Sequence, residues 1–425
     1  MKSQSNFKFP EGLEKDKISF KLINNLVVIP VEVNGAELTF LLDTGVSSTI
    51  MFSLSTIDSL ELNNTSLVRL RGLGEGGSIE ALKSESNIFK IGKIKDENHT
   101  VFVIFDESLN LSSRMGIPIH GIIGYEFFKE LVVKTNYTKK KLSYFKPEAY
   151  VDHFSKKHKK FPLIFHTKKP YINVLTSLNG TFVESTLLID SGSSDAIWLF
   201  DDFNQFDNPD NKYFDDFLGE GLSGSIFGKR SKLNSLKIGV FELNNVKVAY
   251  PDEGAFKNIV LFEERDGSIG GDILKRFTVI YDYPSKKVTL IKNNKFKSPF
   301  YYNMSGLSMK HEGVTLVTEK KSRNKIKSDH SNNTSSLKII SDVVYNYYLA
   351  PRFVVSEIQK DSPSAIAGVK KGDEMISLNG KAAFKYNLSD INALFTSKAG
   401  KKIILTIIRG EKEYRFKFYL REMFE

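Results

Sequence analysis

The sequence of 425 residues contains no cysteine. Disulfides, thiolate zinc sites and a cysteine nucleophile are thereby excluded, although a thiol-free chain works in either redox compartment. Its seven histidines are dispersed and no His-Glu-x-x-His occurs, so no metal site and no cofactor are expected. No apolar run approaches a membrane span. The opening MKSQSNFKFP has no apolar stretch of signal-peptide type, so either the protein is cytoplasmic or a leader has been removed. The net charge is +10, yet the lysines are scattered, as in KKHKK (156–160) and TKKKL (138–142). No basic stripe with interleaved aromatics appears, and no nucleic-acid partner is expected.

What is present is a repeated β pattern. The hydrophobic fraction of 41% is that of a folded chain, and the aromatics are mostly Phe and Tyr, which favours strands. FLLDTGVSST (40–49) ends a buried-looking strand in an acid, and TLLIDSGSSD (186–195) does the same. Asp43 and Asp190 are 147 residues apart, and so are Gly74 and Gly221, Gly77 and Gly224, and the two KIG triplets at 90 and 237. GIIG (121–124) returns as GSIG (267–270), and NYTKKKLSY (136–144) as DYPSKKVTL (282–290), each shifted by 146. A register held across five motifs implies a duplicated unit of roughly 145 residues. Asn34-Gly35 and Asn179-Gly180 mark hairpins between β-branched runs. Short helices are expected after each Gly-x-x-Gly, in EFFKEL (126–131) and DILKRF (272–277).

Two lobes that each end a strand in Asp-(Thr/Ser)-Gly invite a pseudo-two-fold arrangement with both acids at its axis. Paired carboxylates cannot both ionise cheaply, so one retains a proton. The ionised member then takes a proton from a water while the other polarises a carbonyl. Thr44 and Ser191 have hydroxyls able to bridge the two loops, and Gly45 and Gly192 let the backbone pass close to the acids. Ser193 and Ser194 have no base nearby in sequence, so a serine nucleophile is not expected, and Trp198 reads as core.

These residues resemble the retropepsin-like aspartic endopeptidases, with both lobes in one polypeptide. LLDTGVSSTI, LLIDSGSSDAI, GIIGYEFF and GSIGGDIL carry the resemblance, which runs from about residue 20 to 293. It implies a mainly β, bilobal acid-protease fold, hydrolysis of a peptide or protein substrate, and catalytic Asp43 and Asp190. It also implies a glycine-rich flap from each lobe, at GLGEGGS (72–78) and GEGLSGS (219–225), with Gly74, Gly76, Gly77, Gly221 and Gly224 over the substrate. GLGEGG lacks the βαβ context of a dinucleotide loop. Val46 stands where pepsins carry Ser, while Ser193 holds that place in the second copy. A hydroxyl there favours carboxylate ionisation, so activity is expected nearer weakly acidic or neutral pH.

After about residue 293 the vocabulary changes. FVVSEIQKDSPSAIAGVKKGDEMISLNGK (353–381) and the helical stripe LSDINALF (388–395) resemble a PDZ domain. Such domains add a peptide strand to a sheet edge and hold its terminal carboxylate in backbone N–H groups. The groove residues implied here are Gly306, Leu307, Met309 and Leu388. Ser305 and Ser308 depart from the usual apolar-Gly-apolar loop, and a polar basic stretch near 318–340 reads as a mobile insertion. Both a peptide-binding domain that takes a protein C-terminus and a docking module with a degraded groove fit.

The expected organisation is a first lobe over 1–150, a second over 151–295 and a PDZ-like α+β domain over 300–425. The functional reading is an aspartic endopeptidase. Its alternative is a protease-like scaffold that no longer cuts and acts through its PDZ-like domain. Related fusions resemble bacterial envelope proteins, which implies a periplasmic or cell-envelope location after signal removal.

Overall fold

The computed structural model describes residues 6–423 apart from 53–58, 75, 106–110, 152–156, 179, 201–211, 257–261 and 332–333. It is mainly β, with two β-rich lobes followed by a PDZ domain.

Each lobe is built on an eight-stranded sheet, and the two sheets share one strand order. In the first lobe, Leu26–Val33 and Ala36–Leu42 form a hairpin around Asn34-Gly35, both at positive φ. Ala36–Leu42 then runs parallel to Gly121–Ile123, which is antiparallel to Thr49–Met51. In the second lobe, Lys169–Leu178 and Thr181–Ile189 pair likewise, and Thr181–Ile189 runs parallel to Gly267–Ile269. The acids follow directly from this. Asp43 N–H donates to Ile123 O and Asp190 N–H to Ile269 O, both at 2.9 Å. Each loop is therefore pinned where its strand leaves the sheet.

A third sheet of six strands joins the lobes. Val132–Asn136 of the first lobe pairs antiparallel with Phe277–Asp282 of the second, and Lys134 faces Ile280. Alternate apolar residues of this sheet face the lobes, so the core is continuous. Phe40, Phe127 and Phe128 share one cluster with Ile189, Phe277 and Tyr281. Burying aromatic side chains of this size stabilises by about 1.5–3 kcal/mol each. The helices after each Gly-x-x-Gly are single turns, Tyr125–Phe128 and Gly271–Leu274.

The PDZ domain has its own core, around Leu307, Phe353, Leu388, Ile391 and Phe395. The helix Leu388–Phe395 opens on a capping box of Asn387 and Asp390. The polar stretch near 318–340 lies in the outer part of one long hairpin, Leu307–Ser331 and Thr334–Ile358, where regular antiparallel pairing satisfies the backbone of even a polar segment. The domain is fastened to the lobes. The buried Tyr302 hydroxyl accepts from Val248 N–H and donates to Ser231 O. The Arg276 guanidinium lies 3.5 Å from the Phe300 ring centroid, and Asn392 bonds Asn24 of the first lobe at 3.1 Å.

Candidate active site

The loops that follow the two strands meet at the lobe junction. Thr44 Oγ1 donates to Ile189 O (2.6 Å) and accepts from Ser191 N–H (3.0 Å). Ser191 Oγ donates to Leu42 O (2.9 Å) and accepts from Thr44 N–H (3.0 Å). Both hydroxyls are buried. Each such bond contributes about 0.5–1.5 kcal/mol net, and losing one leaves a buried polar group unmatched at higher cost. Four bonds across one axis fix the loops against each other.

This lock sets the two carboxyls side by side. The Asp43 and Asp190 carboxyls border the same small space. A methyl group on Gly45 would sit 2.9 Å from Asp190 Oδ1 and 3.1 Å from Asp43 Oδ1. On Gly192 it would overlap the Asp43 carboxyl. Each glycine thus lies against the acid of the opposite loop, and only a residue without Cβ fits there. Burial, followed by the neighbouring Asp190 charge, pushes the Asp43 carboxyl well above the ordinary 3.8. Gly45 N–H donates to Asp43 Oδ1 (2.7 Å). Asp190 Oδ1 accepts from two amides, Gly192 at 3.0 Å and Ser193 at 3.1 Å. The donor that distinguishes the second loop is thus the Ser193 backbone rather than the hydroxyl that the sequence suggests.

Above the acids lie both glycine-rich tips. The hairpin of Thr65–Leu70 and Ile79–Ile91 carries the first, and that of Phe214–Gly221 and Gly224–Ile238 the second. The tips bond to each other around Ser223. Gly76 N–H donates to Ser223 O (2.7 Å), Ser223 N–H to Leu73 O (2.8 Å) and Gly72 N–H to Ser223 Oγ (3.1 Å). Gly221 packs so tightly on Leu73 O that a Cβ would collide with it. Gly74 N–H donates to Ala255 O at 3.0 Å, and Gly224 adopts a φ of +112°. Gly77 has open space around it, and its carbonyl accepts from Ser223 Oγ. Arg114 of the first lobe pairs with Glu220 beside the second tip at 2.7 Å.

Between the acids and the tips lies a cavity of about 1340 Å³. It exceeds the usual volume of a small-ligand pocket, about 300–1,000 Å³, and suits an extended chain. Its wall continues into the PDZ domain, where Gly306, Ser308 and Met309 face Asn392 and Ala393. Leu307 and Leu388 are placed elsewhere. Both are buried in the PDZ core, because a strand and a helix turn their largest apolar side chains inward. The loop before Leu307 is bonded to itself. Ser305 N–H donates to Asn303 Oδ1 (3.0 Å) and Leu307 N–H to Ser305 Oγ (3.1 Å). Two amides that would serve a carboxylate are thereby occupied.

Sequence reasoning passed over three features. Trp198 is core but also lines the cavity, with Nε1 donating to Asp195 Oδ2 at 2.7 Å. Lys169 lines the cavity on the second-lobe side. Thr49, His99 and Asp96 form a chain of bonds (2.7 and 2.8 Å) of the kind found in nucleophilic triads, yet all three are sealed from solvent. Among the described residues, no cluster of His, Asp and Glu could hold a metal, and no helix is long and apolar enough to cross a membrane.

Residues 29–127 match the family model described as Aspartyl protease, and residues 313–420 match that described as PDZ domain. The chain therefore carries an aspartyl-protease domain and a PDZ domain. None of the curated proteins matches it. Among solved structures it is similar to the crystal structure of aspartic proteinase from Irpex lacteus. The identity is 14% and the TM-score 0.45, covering 67% of this chain and 99% of that one.

Proposed function

We propose that the protein is a retropepsin-like aspartic endopeptidase in which Asp43 and Asp190 activate a water. The observation that carries this reading is the meeting of the two carboxyls at the lobe junction, under a cavity large enough for a peptide strand. Two flaps, one per lobe, support the retropepsin-like type.

The chemistry follows from the electrostatics. The shared proton is favoured on Asp43, which is the more buried acid. Asp190, with two amide donors, is suited to hold the negative charge. Asp190 takes a proton from the water as its oxygen attacks the scissile carbonyl carbon. Asp43 donates its proton to the carbonyl oxygen, giving a neutral gem-diol. Proton transfer to the leaving nitrogen, with loss of a hydroxyl proton to the dyad, breaks the C–N bond and restores one proton to the pair. Flap opening precedes substrate entry, since the tips are bonded to each other.

Incubation with a mixed peptide library between about pH 3 and 8 tests this, because the dyad is in its one-proton form somewhere in that range. Cleavage blocked by a statine-type mimic and by Asp43→Asn is expected. No cleavage at any pH favours a non-cutting scaffold that acts through its PDZ domain. The occupied amides around Ser305 favour an internal peptide segment over a free C-terminus as the ligand of that domain. Equal binding of a peptide and its C-terminal carboxamide is the expected result.

A further inference from the structure

The two lobes enter the cavity by equivalent hairpins. In each, a two-residue turn has both φ values positive, Asn24-Asn25 in the first lobe and Thr167-Lys168 in the second. Each turn touches the loop that follows the opposite acid. Asn25 Nδ2 donates to Ser194 O (2.8 Å), and Ser47 Oγ donates to Thr167 O (2.9 Å). Ser47 and Ser194 are themselves equivalent, 147 residues apart. The first strand residue after each turn faces the cavity that holds Asp43 and Asp190. It is Leu26 on one side and Lys169 on the other. The symmetry is broken at this point by a cation.

Lys169 is half-buried. Among the described residues no acidic side chain forms an ion pair with it, and the anions whose charge it feels are the two dyad aspartates. The other cation nearby, Arg265, is committed elsewhere. Its Nε donates to Gly267 O (3.0 Å) and its guanidinium lies 4.6 Å from the Phe200 ring centroid. Burial lowers the proton affinity of the Lys169 ammonium, which a further anion would restore. The dyad keeps one proton in its working form, so its single charge does not exhaust what a desolvated ammonium attracts.

Resting on the proteolytic reading above, we propose that Lys169 is a specificity-determining residue that selects peptides with an Asp or Glu side chain on the second-lobe side of the scissile bond. Leu26, at the mirrored position, takes an apolar side chain on the other side. The preferred substrate is therefore acidic on one flank of the cut and apolar on the other.

Cleavage sites of the full chain and its variants are mapped by mass spectrometry on a peptide library. The wild type is expected to enrich Asp and Glu at one position. Lys169→Leu, which copies the first lobe, is expected to lower kcat/KM for an acidic peptide roughly 10- to 100-fold while changing that for its Gln counterpart less than about threefold. Lys169→Glu is expected to transfer the preference to Lys and Arg. Cleavage with the same sequence preference in wild type and Lys169→Leu overturns the inference alone, including the case where only the pH profile moves. A wild type that cleaves no library member overturns the proteolytic reading and this inference with it.

Discussion

The two lobes share a strand order and differ in what fills it. Counted from their hairpin turns, Asp96 and His99 of the first lobe correspond to Leu243 and Val246 of the second, and by strand register Thr49 corresponds to Ile197. One lobe buries a hydrogen-bonded polar chain where the other packs hydrocarbon. The helix after Gly-x-x-Gly reverses the contrast. Glu126 pairs with Lys129 (2.6 Å) and with the half-exposed Lys168 (3.1 Å). Its counterpart Asp272 is buried among Lys247 (2.6 Å), Lys275 (2.7 Å) and Arg276 (3.6 Å). What the lobes keep in common is the grip of Thr44 and Ser191 and the close approach of Gly45 and Gly192. The topology tolerates either kind of interior, whereas the junction admits one solution.

If that is so, the largest loss comes from disturbing the junction. Gly192→Ala is expected to lower kcat/KM by about 10²–10⁴-fold, and Gly45→Ala by less, since its methyl group would come 2.9 Å from Asp190 Oδ1 where that of Gly192 would come closer still to Asp43 Oδ2. Similar, mild losses in both would break the comparison.

Next come the buried ions. Asp272→Asn leaves two lysines poorly matched and is expected to cost about 3 kcal/mol in denaturant unfolding at pH 7. Glu126→Gln, nearer the surface, should cost under ~1 kcal/mol. Burial alone would raise the Asp272 carboxyl, but Lys247 and Lys275 more than offset it and hold the carboxyl well below 3.8. Its contribution is present above that ordinary value and is lost as pH falls through the folded-state one. The difference between wild type and Asp272→Asn should therefore shrink in strong acid.

His99→Leu leaves Asp96 and Thr49 with unmatched groups and is expected to cost roughly 1–3 kcal/mol. The triple change Thr49→Ile, Asp96→Leu and His99→Val writes the second lobe's residues into the first and should recover much of that loss. A triple variant worse than His99→Leu would show that the lobes are not interchangeable there.

Asp43 has the opposite sign. Its carboxyl is raised, so the fold opposes its ionisation. Stability present below about 3.8 is lost as pH rises through the raised value. Asp43→Asn should raise Tm at pH 7 and leave it unchanged near pH 3. The smallest effect is expected at the Arg114–Glu220 pair, which is partly exposed and contributes about 0.2–1 kcal/mol. Arg114→Gln should alter KM within about fivefold, through easier flap opening.

The two acids, the glycines beside them and both glycine-rich hairpin tips are legible in the sequence because they recur at one fixed offset. Lys169 was hidden by that same offset. Its hairpin lies 143 residues from its counterpart, while the acid loops lie 147 apart, so a motif register sets Lys169 against Leu22 and not Leu26. The Thr49–His99–Asp96 chain left no trace because its partners come from two strands and the second lobe lacks them. Leu307 and Leu388 come from the resemblance to PDZ domains, which does not tell a core face from a ligand face, and both lie in the core cluster. Composition marks the stretch near 318–340 as polar but does not report its ladder pairing, which needs none of the apolar residues it lacks.

The central claim is that Asp43 and Asp190 act as one unit. Measuring kcat/KM of Asp43→Asn, Asp190→Asn and the double variant on one cleaved peptide tests it most directly. Either single change is expected to remove cleavage as fully as both together. A single variant that cuts at the wild-type rate, or losses that multiply in the double variant, would contradict a shared proton.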